Sequence, residues 1–190
     1  MTKNIAIKIW GTGLVISTMP YLFSQDTNTS SHSLSIVFPE VALLDIESES
    51  GENISFILDG AALDAGENVE FHQERSSLWL NYTSLISTMG SERSISVKAS
   101  NLPDIPGLII SLEAENYIGT GEGTYGIPTA TIIPTEMEKQ LITGIGSAYT
   151  GDGPSNGHRL KYYLDYSGSY ADFSKEKGSQ NITITYTITD

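Results

Sequence analysis

Two glycine-rich segments contain the residue types that bind phosphate groups in nucleotide-binding proteins. Residues 121–126, Gly-Glu-Gly-Thr-Tyr-Gly, match the G-x-G-x-x-G spacing of a dinucleotide-binding turn. That turn lies where a strand ends and a helix begins, because the helix N-terminus receives the pyrophosphate. Residues 127–133 have the composition of a strand instead, so we predict a glycine-rich hairpin loop. Residues 144–153 lack the Lys-Ser/Thr ending of a phosphate loop and predict a long surface connection.

Side chains for metal binding or hydrolysis are present, but not in diagnostic patterns. The chain has no cysteine, and its three histidines are isolated: His32, His72 and His158. Zinc needs such ligands close together, so we expect each histidine to be an ordinary surface or loop residue. No G-x-S-x-G elbow occurs, and no pair among the 23 acidic residues stands out for glycoside hydrolysis. We therefore expect a protein that is not an enzyme and has no cofactor.

Calcium would need several oxygen ligands at close spacing, and no D-x-D-x-D-G pattern occurs. Two groups of acids would form a weak site only if loops converge: Asp152 beside loop carbonyls, or Asp45 with Glu47 and Glu49. We expect no metal site.

The N-terminal residues and the charge indicate an exported protein. Residues 1–24 read as a signal peptide, with Lys3 and Lys8 before an apolar stretch, Pro20 late in it, and cleavage after Ser24. A short membrane anchor is the alternative, but the stretch is shorter than the ~20 apolar residues that a spanning helix needs. Removal of the signal leaves 23 acidic against 8 basic residues, a net charge of −15. Such a surface repels nucleic acid, so we expect no nucleic-acid partner. From the signal peptide we expect a secreted protein, extracellular or at the cell surface.

Short alternating segments separated by Gly, Pro, Asn and Asp predict an all-β fold. After a flexible lead-in at 25–33, residues 34–190 contain about eight or nine such segments, which favour one immunoglobulin-like antiparallel β-sandwich. Helix is confined to two brief candidates, residues 64–75 and a possible single turn at 135–141. The absence of cysteine excludes disulfides, so the stability of the domain must come from its core.

The last ten residues alternate without an error and predict a strand. Four apolar residues share one face, Ile182, Ile184, Tyr186 and Ile188, while threonines share the other. A segment of this kind completes a sheet, either that of its own chain or that of a neighbour.

Three tyrosines near the glycine-rich segments are candidates for ligand contact: Tyr125, Tyr149 and Tyr163. Aromatic side chains suit glycan or protein surfaces, but they equally suit a half-buried strand. They carry the alternative function, a monomeric extracellular binding module for a glycan or a cell-surface partner.

Three segments resemble cysteine-free, secreted β-sandwich proteins of Bacteroidetes-type bacteria: residues 38–47, residues 78–83, and the block from residue 141 through Asn156-Gly157-His158 to the terminal threonine run. That group implies the fold and export but no function. More loosely, Gly178 followed by alternating residues and Tyr186 is similar to the last strand of pilin and spore-coat-like fimbrial subunits. In chaperone-usher pilins the tyrosine is next to last, which differs from this chain.

The pilin resemblance implies assembly through exchanged strands. Residues 25–33 lack the alternation of a donor strand, but Leu34, Ile36 and Phe38 have it. We therefore expect a non-enzymatic structural subunit that self-associates, by β-strand exchange or edge pairing, into a surface fibre, pilus or coat.

Overall fold

Ten β-strands form the regular structure of the residues that the computed structural model describes, 29–58, 63–171 and 179–190. They are β1 (Val41–Ser48), β2 (Gln73–Leu85), β3 (Arg93–Ser100), β4 (Leu108–Ala114), β5 (Glu122–Gly123), β6 (Ile127–Pro128), β7 (Lys139–Ile145), β8 (Ala148–Tyr149), β9 (His158–Tyr166) and β10 (Thr183–Thr189). The predicted all-β class is confirmed, with strands in two antiparallel sheets, as a β-sandwich requires. The immunoglobulin-like topology stays a prediction.

The first sheet is built around β2, the longest strand. One edge of β2 pairs with β1 from Leu78 to Leu85. The other edge pairs with β9 between Gln73 and Leu80, and then with β8 at Thr83 and Ser84. The two strands β8 and β9 therefore form one interrupted strand along β2, with residues 150–157 looping out between them. The sheet is extended by β4 beside β9 and by β5 beside β8.

The second sheet has the order β10-β3-β7-β6. Its outermost strand β10 is antiparallel to β3 over seven residue pairs without a register shift, from Thr183↔Ser100 to Thr189↔Ser94. The predicted terminal strand is confirmed, and it begins at Thr183, two residues after the alternating segment starts at Asn181. Its pairing is with its own chain.

One core lies between the two sheets, because alternate residues of each strand face inward. The fully buried side chains include Leu80, Leu112 and Leu160 from the first sheet. They meet Ile95, Val97, Leu141, Ile142 and Ile145 from the second sheet. Side chains of the outermost strands β1 and β10 pack against this cluster but are only partly buried.

The side of the sandwich near β4 and β6 is closed by the chain between β6 and β7. Leu112 and Ile132 exchange two main-chain hydrogen bonds of 2.8 and 2.9 Å, which cover the middle of β4. Later in the same connecting segment, the Thr135 carbonyl accepts a hydrogen bond of 2.7 Å from the Ala99 N–H of β3.

The side near β1 and β10 is joined at one end by Arg93. Its buried guanidinium bonds Asp190 Oδ1 at 2.7 Å and also donates to the Val41 carbonyl. Arg93 thereby connects the first residue of β1 to the residue that follows β10.

Both helix candidates were wrong. Residues 64–67 form a turn in which the Glu67 N–H donates to the Asp64 carbonyl at 3.0 Å, and residues 73–75 belong to β2. Gly66 has a φ of +101°, which a helix excludes. At 135–141 a bend leads into β7. Strand pairing, a long-range effect, overrides local propensity in both segments.

The chain divides into two compact units at the bond between Val37 and Phe38, and the second unit, Phe38–Asp190, contains every strand described above. The predicted signal peptide, residues 1–24, lies outside the described residues. Among the residues that are described, no helix is long and apolar enough to span a membrane.

Candidate functional site: the β10 edge

The strand β10 is attached to the core through the apolar face that the sequence predicts. Ile184, Tyr186 and Ile188 pack against the core cluster, whereas Ile182 is half-buried and precedes the strand. The Tyr186 hydroxyl hydrogen-bonds the Tyr162 hydroxyl of β9, across the two sheets. Burial raises the pKa of Tyr162 to about 12 and that of Tyr186 well above its usual 10. Both phenols are therefore neutral at physiological pH.

The direction of the main-chain groups of β10 follows from its register with β3. In an antiparallel pair, the N–H and C=O of one residue point to the same side of the strand. The Ala99 N–H points away from β10, because it donates to the Thr135 carbonyl at 2.7 Å. Its partner Ile184 therefore directs its own N–H and C=O away from β3. Tyr186 and Ile188 follow by alternation, so three N–H and three C=O groups face the outer side of β10.

We call this row of groups the β10 edge. Within residues 29–58, 63–171 and 179–190, β10 pairs with β3 alone, and no other main-chain hydrogen bond to Ile184, Tyr186 or Ile188 occurs. Native edge strands are usually protected by Lys, Pro, bulges or very short length. The strand Thr-Ile-Thr-Tyr-Thr-Ile-Thr has none of these, and its register with β3 is regular. The β10 edge is therefore a suitable template for a further strand.

The edge of β1 is better protected. In the described part of the chain it also pairs with β2 alone, but it carries the carboxylates of Asp45 and Glu47. The Asp45 side chain accepts a hydrogen bond from the Ile46 N–H at 2.8 Å. Charged side chains on an edge strand disfavour pairing with a second chain, and they do so more strongly when that chain is acidic.

The candidate donor residues lie before β1. Leu34, Ile36 and Phe38 are 80%, 66% and 82% exposed, and the neighbouring Val37 is 84% exposed. Residues 29–40 have no regular secondary structure. Four large apolar side chains in five residues are thus in contact with water, which is costly unless a partner covers them.

The structure separates the three candidate loop tyrosines. Tyr149, in β8, is 48% exposed and lies opposite Glu122. Tyr125 is partly buried and stacks on Tyr117, with ring centroids 3.5 Å apart. Tyr163 lies on the outer face of β9, where its hydroxyl donates to Glu113 at 3.4 Å. The register between β5 and β8 brings Tyr125 and Tyr149 to one end of the first sheet, and Tyr163 is not part of that group.

An open groove of about 550 Å³ lies beside Trp79 and Arg159. The Arg159 guanidinium lies over the Trp79 ring at 5.8 Å from its centroid. The ring is only 9% exposed, so the face on which a sugar would stack is already covered. The binding-module alternative stays a prediction with Tyr149 as its most exposed residue.

His158 was expected at the surface, but it is fully buried as the first residue of β9. Its Nδ1 lies 2.8 Å from the Glu115 carbonyl, which only accepts, so Nδ1 carries the proton. Nε2 then accepts from the Tyr82 hydroxyl at 3.3 Å, and that hydroxyl accepts from the Gly126 N–H at 3.1 Å. Burial lowers the pKa of His158. Both ring nitrogens of the buried His158 are thus hydrogen-bonded within the protein, which makes this network a structural element of the core.

The other two histidines are exposed, and His72 pairs with Asp165 at 2.6 Å. Among the described residues, no group of three His, Asp or Glu side chains could hold a metal ion. Asp152 is exposed in the 150–157 loop. That loop is attached to β2 by the Asn81 amide, which donates to the Gly153 carbonyl at 3.0 Å.

We compared the chain with protein-family models, with curated proteins and with solved structures, and none of them matches.

Proposed function

We propose that this protein is a secreted, non-enzymatic structural subunit that self-associates through β-strand addition into a surface fibre or coat. The observation that carries the proposal is the β10 edge, where three alternate residues direct their N–H and C=O groups away from β3 and have no main-chain partner among the described residues. Main-chain hydrogen bonds to such an edge supply affinity without any special side chain. Residues 1–24 support export, because they have the pattern of a cleaved signal.

The composition of the strand supports the same proposal. The edge contains no charge between Thr183 and Thr189, in a chain whose net charge is −13. A neutral edge is a position where two acidic copies approach with little repulsion. The threonines on its outer face suit a pleated surface and impose no steric barrier.

Residue-resolved amide hydrogen exchange tests the proposal. In dilute protein, the amides of Ile184, Tyr186 and Ile188 should exchange rapidly, because among the described residues no strand pairs with the outer side of β10. The amides of Thr185 and Thr187 point to β3 and should be protected, which makes them an internal control. In concentrated protein, the three outward amides should become protected while light scattering shows larger particles.

Two results would overturn the proposal. The first is a chain that stays monomeric at every concentration tested. The second is an assembly in which the three outward amides continue to exchange as fast as in the monomer, because the contact would then lie elsewhere.

A further inference from the structure

We infer that the strand that completes the β10 edge is the segment 33–38 of a second copy of this chain. This inference rests on the proposed function and names the donor. The donor would form a new outer strand of the second sheet, next to β10, and would satisfy the outward groups of Ile184, Tyr186 and Ile188.

The side chains of segment 33–38 fit a strand at this position. Leu34, Ile36 and Phe38 alternate with Ser33, Ser35 and Val37. In an added strand, three large apolar residues would face the core side, where Ile184, Tyr186 and Ile188 are only partly covered. Three apolar residues on the donor thus match three on the acceptor. The exposures of 66–82% on the donor face show how much surface such a contact would remove from water.

The length of the segment also fits. Six extended residues span about 20 Å, close to the length of the seven-residue β10. Pro39 follows directly and cannot donate to a ladder, so it limits the donor at its C-terminal end. Two residues further on, β1 begins, so the donor stays attached to its own sandwich by a short connection.

Charge favours the same donor. Residues 29–38 contain no Asp, Glu, Lys or Arg, and neither does β10. The contact therefore unites the uncharged segments of two acidic copies. Because the donor and the acceptor are different surfaces, the interface is heterologous, and its repetition forms an open chain of subunits unless the rotation between copies closes it into a ring.

A matched pair of substitutions in the full-length chain tests the inference. Ile36→Asp places a carboxylate on the donor's apolar face, whereas Val37→Asp places it on the opposite, solvent-facing side. The two residues are adjacent, and both lie outside the unit Phe38–Asp190, so both variants should unfold at the same denaturant concentration as the unmodified chain. We expect Ile36→Asp to raise the concentration needed for assembly by about tenfold or more, and Val37→Asp to change it by less than about twofold.

Sedimentation velocity measures particle size, and amide exchange at Ile184 shows whether the edge is occupied. If the unmodified chain assembles and protects Ile184 but both variants do the same, the donor assignment is wrong while the proposed function stands. A closed dimer that Ile36→Asp does not weaken indicates pairing between two β10 strands and overturns the donor. Protection of Ile184 in the monomer at every dilution shows that an edge partner comes from the same chain, which also overturns it. A chain that never assembles overturns both proposals.

Discussion

Replacing Tyr186 with Phe tests how the terminal strand is attached to the rest of the sandwich. The substitution keeps the ring, and with it the apolar packing, but removes the hydroxyl that pairs with Tyr162. Tyr162 is 6% exposed, so its hydroxyl has no water to replace the lost partner. A buried polar group left unsatisfied costs about 1–3 kcal/mol. The Tyr162→Phe variant should have a similar cost, because it leaves the other hydroxyl unpaired.

The double variant, Phe at both positions, should be nearly as stable as the unmodified protein, because no hydroxyl is then left unsatisfied. Urea denaturation followed by tryptophan fluorescence measures all four proteins. With a loss of about 2 kcal/mol and a slope of about 2 kcal/mol per molar urea, each single variant should unfold about 1 M earlier. In protein too dilute to assemble, the midpoints should not depend on protein concentration, since β10 pairs within its own chain.

Two outcomes would contradict this account of the terminal strand. Single variants as stable as the unmodified protein would mean that the two hydroxyls do not meet in solution. Single-variant costs that add up fully in the double variant would mean that each hydroxyl has a separate partner.

The remaining predictions concern the buried histidine and one glycine. Burial lowers the pKa of His158 below 6.5, so as the pH falls the histidine is protonated in the unfolded chain before it is protonated in the folded one. The stability that the neutral, buried His158 contributes is therefore complete above pH 6.5 and is lost as the pH falls towards the pKa of the folded state. Urea midpoints at pH 7.5 and pH 5 should show a smaller acid loss for His158→Gln than for the unmodified protein, and equal losses would contradict this. Gly157→Ala should destabilise more than Gly153→Ala: both glycines have a φ near +85°, but a Cβ at 157 would lie 2.2 Å from a main-chain oxygen, whereas the space at 153 is open. Gly153→Ala should lower the free energy of unfolding by about 1–2 kcal/mol, because a residue with a Cβ is strained in the left-handed conformation. Equal destabilisation of the two variants in thermal unfolding would refute the clash at position 157.

The sequence predicts elements whose side chains alternate between water and core. The terminal strand was predictable because Ile184, Tyr186 and Ile188 are separated by threonines, and the structure buries that face. The same rule would have located His158. It stands two residues before Leu160 and so shares the inward face of β9, although its polarity alone suggested a surface position.

Features that depend on pairing between distant segments were not predictable. The outward direction of the Ile184 amide depends on the register between β10 and β3 and on the bond from Ala99 to Thr135. The eight-residue loop between β8 and β9 interrupts a strand only because both of its flanks pair with β2. In the sequence it is indistinguishable from an ordinary glycine-rich connection. The sequence also gives no sign that Tyr163 lies apart from Tyr125 and Tyr149, because the pairing of β5 with β8 joins distant segments.

Arg93 has a mechanical consequence. Its guanidinium bonds both the carbonyl of Val41, where β1 begins, and the side chain of Asp190, which follows β10. A pulling force that enters the sandwich through the chain before Val41 and leaves through Asp190 crosses the molecule at this one end. The shortest load path runs through a single side chain and bypasses the apolar interior, so under tension these bonds should break before the sheets separate.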